Sequence, residues 1–398
     1  MTIHGAPRES SPSGFVSLPD GCDAVSRLIQ TKSKWLVSTR FDLGFFIAPG
    51  FISILILLLS PSHLLQAENL PVWSWILFVI MIDVAHVYAS LYRTYFDGNE
   101  FRRRKTLYLS VPASAFLLGV VLYTWEPLYF WRALAYAAVI HFVRQQYGFM
   151  ALYKYRMDER SRFERMIDKW LLYLSTFYPL AYWHTHLPRK FVWFVEGDFL
   201  SVSALRLSRG VGVIYLALVV LYVFKEMLRV LRGHPLNPGK NLVLLTTALT
   251  WYVGIVYYNS DYSFTVTNVV SHGVPYFGLV WIYCRRKWGS PRRNSWLHPI
   301  SQPKWIGAFM GILIFLAFFE EWIWDVFVWR EHSTVFGVWN RFVSLEASAG
   351  LSLLVPLLAV PQATHYVLDA FIWKLNSNNP DLQRYLFQPG PDEFLRIH

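Results

Sequence analysis

The stretch PVWSWILFVIMIDVAHVYASLYR, residues 71–93, decides the fold. Apart from Ser74, it runs apolar from Pro71 to Ile82, then presents Asp83 and His86 one helical turn apart, and meets its first basic residue at Arg93. About twenty such residues, rising 1.5 Å each as a helix, cross a hydrocarbon layer of about 30 Å. The segment therefore reads as a transmembrane helix. An acid and an imidazole inside it are costly, and such groups mark functional sites in membrane bundles.

The pattern recurs along the chain. Of 398 residues, 54% are hydrophobic and only 16% charged, against about a quarter charged in soluble domains. Apolar runs predict about ten spans: 43–65, 71–92, 106–126, 128–151, 169–187, 210–230, 241–259, 262–284, 305–327 and 347–372. Gly273 and Pro275 predict a kink in the eighth. Lys and Arg alternate between the two sides of this division, 29 on one and 7 on the other, with Arg144 inside span four. The positive-inside rule then puts both termini in the cytoplasm. The expectation is an all-α polytopic membrane helix bundle, with a cytoplasmic N-terminal segment (1–42), the bundle (43–372) and a cytoplasmic tail (373–398). A multi-pass protein of a bacterial inner membrane is the expected setting.

The net charge of +11 does not indicate nucleic-acid binding, because the basic residues sit in short loops where they set topology and meet membrane lipids. Cys22 and Cys284 are too few for a disulfide framework, and both fall on the expected cytoplasmic side as reduced thiols. The polar first forty residues lack the apolar core of a signal peptide. Residues 188–209 are too broken to span and are expected along the outer interface. His184 and His186 of WHTH, and Glu320, Glu321 and Asp325 of EEWIWD, fall near outer span ends and read as wet interfacial groups, with a second surface metal at the histidines and cation entry at the acids as the lesser alternatives.

Four histidines lie deep in four different spans: His86, His141, His272 and His365. All four spans run in the same direction, and each histidine sits well inside its span, so regular helical rise brings them near one level. Each has polar company three or four residues away, on a shared helix face. Asp83 and Ser90 flank His86, and Arg144 and Gln145 follow His141. Asn268 precedes His272, with Thr265 and Ser271 nearby, and Gln362 and Asp369 flank His365. One such histidine is as readily an interhelical hydrogen-bonding group as a ligand. Four at a common depth favour a shared metal site, with Asp83 and Asp369 orienting imidazoles through their second nitrogens or ligating directly. Arg144 is a candidate to hold a polar end of the substrate, with pairing to Asp83 or Asp369 as the alternative.

Neutral imidazoles suit iron, zinc, copper or nickel. A buried site in an apolar bundle points to iron and oxidative chemistry on a lipophilic small molecule, with zinc or copper as the alternative metals. Such chemistry can call on an electron donor. The HxxxH and HxxHH boxes of membrane desaturases are absent. A transporter or channel using the same residues as an ion or proton relay is the second reading, although no repeat symmetry relates the two halves. Bis-histidine haem ligation is a third, but stacked haems need histidines at two depths.

His86 and His141, 55 positions apart and with HF at 141–142, resemble the Brp/Blh-type β-carotene dioxygenases in arrangement and in multi-span architecture. That resemblance implies an intramembrane iron site, with His86, His141, His272 and His365 as the positions to carry ligand roles. The wide separation of His272 and His365 departs from the closely spaced pair expected there. DVAHVYASLYRTYFD and HFVRQQYGF also resemble uncharacterised bacterial multi-span proteins.

Overall fold

Short polar caps and long apolar runs account for the helices. The computed structural model describes residues 34–289, 295–337 and 348–387; Cys22, the Arg292–Arg293 pair and the end of the tail lie outside them. Ten long helical segments coincide with the ten expected spans. They are α1 (Thr39–Leu59), α2 (Val72–Arg93), α3 (Lys105–Trp125), α4 (Pro127–Arg156) and α5 (Arg162–Thr185). They continue as α6 (Leu205–Leu231), α7 (Pro238–Tyr257), α8 (Asp261–Trp288), α9 (Pro303–Trp329) and α10 (Gly350–Ile372). No strand occurs among the described residues.

Seven of these, all but α4, α5 and α8, are long and apolar enough to cross a membrane by composition alone. This is a multi-pass membrane protein of all-α class. Helix α8 is buried along most of its length, so polar side chains on it face protein rather than lipid. The outward faces of α3, α6 and α9 expose Leu117, Leu118, Val213, Ile214, Phe315 and Phe319, as a hydrocarbon surround requires.

Helix starts are chemically specified. Ser161 accepts the Glu164 N–H in a capping-box sequence, Asn237 accepts that of Lys240 ahead of Pro238, and Ser260 accepts that of Ser263. Helix α8 runs without a break through Gly273 and Pro275, where the sequence suggested a kink. Gly273 instead permits a close helix contact: a Cβ there would lie 2.7 Å from Ile82 Cγ2, 3.2 Å from Ile82 O and 3.6 Å from His86 Cβ. Residues Trp75–Val84 of α2 are π-helical, a long stretch for a form that usually appears as single-turn bulges. Helix α10 is interrupted by a turn at Ala359, between helical segments that end at Leu358 and restart at Val360.

Loop contacts sort the helix ends into two sides. On the basic side, Arg93 pairs with Glu100 at 3.2 Å and reaches Asn379 of the tail. Lys287 pairs with Asp97, Lys154 and Lys225 share Asp168, and Lys240 bridges Glu159 and Glu226. Arg156 donates to the Trp35 carbonyl, just ahead of α1. On the opposite side, Arg189 donates to the Ile255 and Tyr258 carbonyls, and Asp261 N–H to that of Ala67. Residues 188–204 form an irregular cap there. Asp198 accepts the Trp193, Phe194 and Val195 N–H groups, while Phe191 and Phe199 are buried beneath.

Candidate metal centre

The histidine side chains converge. One ring nitrogen from each of His86, His141, His272 and His365 lies within 4.8 Å of all the others, and all four residues are buried. Their Nε2 atoms form a chain of short contacts: His86 to His272 at 3.1 Å, His272 to His141 at 3.2 Å and His141 to His365 at 3.2 Å. Four nitrogens about 2.0–2.1 Å from one ion stand about 3.3–3.4 Å apart in a tetrahedron and about 2.9 Å apart at right angles. The observed spacing falls between these two geometries, so the donor set fits a single metal ion.

The outer nitrogens reinforce that fit. Nδ1 of His86, His272 and His365 is buried without a hydrogen-bond partner. A neutral imidazole carries one N–H and one lone pair. Neutral imidazoles could pair their four Nε2 atoms two by two as donor and acceptor, whereas a cation among them would take all four lone pairs. The tautomer then becomes Nδ1–H on each ring. Asp83 Oδ1 stands 3.6 Å from His86 Nδ1, and Asp369 Oδ1 stands 3.8 Å from His365 Nδ1. These are too long for hydrogen bonds, but they place a carboxylate beside each of two ligands. Two carboxylates and four neutral imidazoles offset the charge of a divalent ion, which is the arrangement that costs least in a low-dielectric interior.

Surrounding groups hold the rings in place. Phe142 stacks on His272 with centroids 3.6 Å apart, and Tyr366 lies 4.9 Å from His141. Tyr276 meets His365 edge-on at 5.1 Å, donates to Asp369 at 2.6 Å and accepts from Trp373 at 3.3 Å. Gln145 donates to the His272 carbonyl at 2.8 Å and Gln146 to that of Ser271 at 3.1 Å. Helix α4 is thereby clamped to α8 at the level of the site.

Sequence spacing found the four clustered histidines and both aspartates beside them. The structure assigns some of their neighbours differently. Ser90, Ser271 and Asn268 bond to carbonyls of their own helices, those of Val87, Thr267 and Phe264. Arg144 is exposed on α4 rather than within the buried layer. Three residues rotate a helix by about 300°, leaving Arg144 about 60° around from His141. His184 bonds Tyr136 and the Leu180 carbonyl, far along α5. Tyr276, Phe142, Tyr366 and Gln146 escaped the sequence reading, although Tyr276 is i+4 from His272 and shares its face. Glu320 is buried, accepting from Tyr88 at 2.5 Å and from Trp324 at 3.2 Å, so EEWIWD is not simply a wet interface.

No protein-family model, curated protein or solved structure matches this chain. The description that stands is that of a membrane-helix protein with a buried four-histidine cluster able to hold a metal ion.

Proposed function

We propose that this protein is an integral-membrane, metal-dependent oxidoreductase that holds iron at His86, His141, His272 and His365 and acts on a lipophilic small molecule. The observation that carries the proposal is the convergence of four buried Nε2 atoms at 3.1–3.2 Å around positions where three outer Nδ1 atoms have no partner. Imidazole sets suit iron among the metals available, and bound iron supplies one-electron and oxygen chemistry that side chains lack. Asp83 and Asp369, 3.6 and 3.8 Å from the Nδ1 atoms of His86 and His365, act on those rings by charge. Tyr276 fixes Asp369, and Phe142 and Tyr366 exclude water from the rings. Arg144, exposed on the flank of α4, is positioned to meet a polar end of a substrate arriving from the bilayer. The basic side faces the cytoplasm of a bacterial inner membrane under this reading.

The test is purification in detergent, measurement of bound metal and of the visible spectrum, and the same measurements on His86→Ala and His365→Ala. The expected result is about one metal ion per chain, as one four-ligand centre requires, lost in both variants. A Soret band would reassign the histidines to haem. A metal-free protein that stays metal-free on reconstitution would favour ion or proton transport through the same residues.

A further inference from the structure

Four acidic residues lie between the rim opposite the basic loops and the first histidine. Helix α9 packs along α2. Near its end, Asp325 is buried, its Oδ1 accepts the Glu331 and His332 N–H groups at 3.0 and 2.8 Å, and its Oδ2 has no partner. Glu321 is four residues earlier, about 6 Å deeper along a helix, and is partly exposed. It follows Glu320 on α9, which packs on the Trp75–Val84 segment of α2 that carries Asp83. Glu320 is anchored to Tyr88 of α2. Asp83 is 28% exposed and stands 3.6 Å from His86 Nδ1, which is 98% buried by side chain and unpartnered. The outer nitrogen of one of the clustered histidines therefore faces the inner end of the acidic series.

We infer that the metal ion reaches the histidine site through this acidic corridor, by way of Asp325, Glu321, Glu320 and Asp83, from the side opposite the basic loops. The inference rests on the metal-centre reading above. A divalent ion cannot cross an apolar bundle unaided, because an unpaired charge in low dielectric is too costly. A series of carboxylates lowers that barrier and concentrates cations at the mouth. The side-chain neighbours of the two end carboxylates are imidazoles, His332 for Asp325 and His86 for Asp83, rather than a fixed ammonium or guanidinium group.

The basic side opposes cations. Beyond His365, Asp369 is engaged by Tyr276, and Tyr276 by Trp373. The buried guanidinium of Arg93 then lies 4.8 Å from the Tyr283 ring centroid and 6.0 Å from that of Trp373. That guanidinium is paired with Glu100 at 3.2 Å, so the carboxylate on this side is engaged by a fixed cation rather than by an imidazole.

The test uses the full-length protein in detergent, stripped with a chelator and then mixed with cobalt(II), whose visible absorption on imidazole ligation follows loading. Glu321→Gln should slow loading by about tenfold or more, the scale on which focused charge raises association rates, while reaching the wild-type final amount bound. Glu68→Gln, an exposed acid paired with Lys190 in a surface loop, should load at the wild-type rate. Glu321→Gln loading as fast as wild type overturns the corridor and leaves the metal centre intact. A variant altered only in the pH dependence of activity, with loading unchanged, overturns it in favour of proton movement. Wild-type protein that takes up no cobalt defeats the metal-centre reading and the corridor with it. Should Glu321→Gln fail to fold, wild-type protein oriented in liposomes decides: cobalt must load from the Glu321 face, and loading from the Arg93 face refutes the inference.

Discussion

Gly273→Ala tests whether metal binding depends on the close approach of α2 and α8. The added Cβ would meet Ile82 Cγ2 at 2.7 Å and the Ile82 carbonyl oxygen at 3.2 Å. Carbon–carbon contacts are most favourable at about 3.5–4.0 Å, so the helices must part by roughly 1 Å. Ile is stiff at χ1, and its backbone cannot yield independently of the helix. Overpacking of this kind costs about 1–3 kcal/mol of stability. The effect on the site is larger, because His86 is on the displaced helix, with its Cβ 3.6 Å from the new atom and its Nε2 3.1 Å from that of His272. Moving one ligand by about 1 Å takes it from a bond of about 2.1 Å to one of about 3 Å, outside the coordination range. Gly273→Ala should therefore remain folded by circular dichroism and lose metal affinity by about 100-fold or more in chelator competition, approaching a site that lacks one ligand. Gly210→Ala on α6, where nothing lies within 4 Å of the added atom, is the control and should be neutral or slightly stabilising. Wild-type affinity in Gly273→Ala would refute the claim that His86 is held in place by this contact.

Asp369→Asn removes the carboxylate beside His365 while keeping a group that Tyr276 can bond; metal affinity should fall by about 10–100-fold, the usual effect of losing an outer partner of a ligating histidine. Tyr276→Phe should fall in the same direction by less, and an unchanged dissociation constant in both would show that the aspartate plays no part. On the basic side, burial pushes the Glu100 carboxyl up, but Arg93, the Tyr108 hydroxyl, Arg103 and Arg104 outweigh it and hold it below the ordinary glutamate range. Its folded-state value is thus depressed, so its contribution is complete above about pH 4.3 and is lost as pH falls through the lower folded value. Glu100→Gln should lower thermal stability near pH 7 by about 3 kcal/mol, because it leaves Arg93 buried without its carboxylate. The gap to wild type should narrow as a thermal-shift series descends below about pH 4; a gap constant with pH would refute the assignment.

The helical, membrane-spanning class is legible in the sequence because hydropathy is a one-dimensional property. An apolar run must lie in hydrocarbon, and its backbone must then satisfy its own hydrogen bonds as a helix. The Lys and Arg alternation is equally local, and the ion pairs among the basic loops gather those same segments on one side. His86, His141, His272 and His365 could be named for the same reason, since a costly group in a span calls for a partner wherever it sits. Two further sequence readings carry over in part: Asp83 and Asp369 do stand beside their histidines, at 3.6 and 3.8 Å, whereas Ser90, Asn268 and Ser271 turn to their own backbone.

What only the tertiary structure decided is how the helices turn and how closely they approach. Spacing of i+3 put Arg144 beside His141, but the 60° offset left it exposed while Gln145 and Gln146 reach α8. Gly273 reads as a kink until Ile82 of another helix is seen against it. The stacking of Phe142 on His272 and the grip of Tyr88 on Glu320 join residues 130 and 232 positions apart, and the π-helical stretch Trp75–Val84 alters a period that sequence patterns assume to be constant. Depth in the membrane follows from the chain's own hydropathy, but rotation and contact are set by neighbouring helices, and they turn four buried imidazoles into one site.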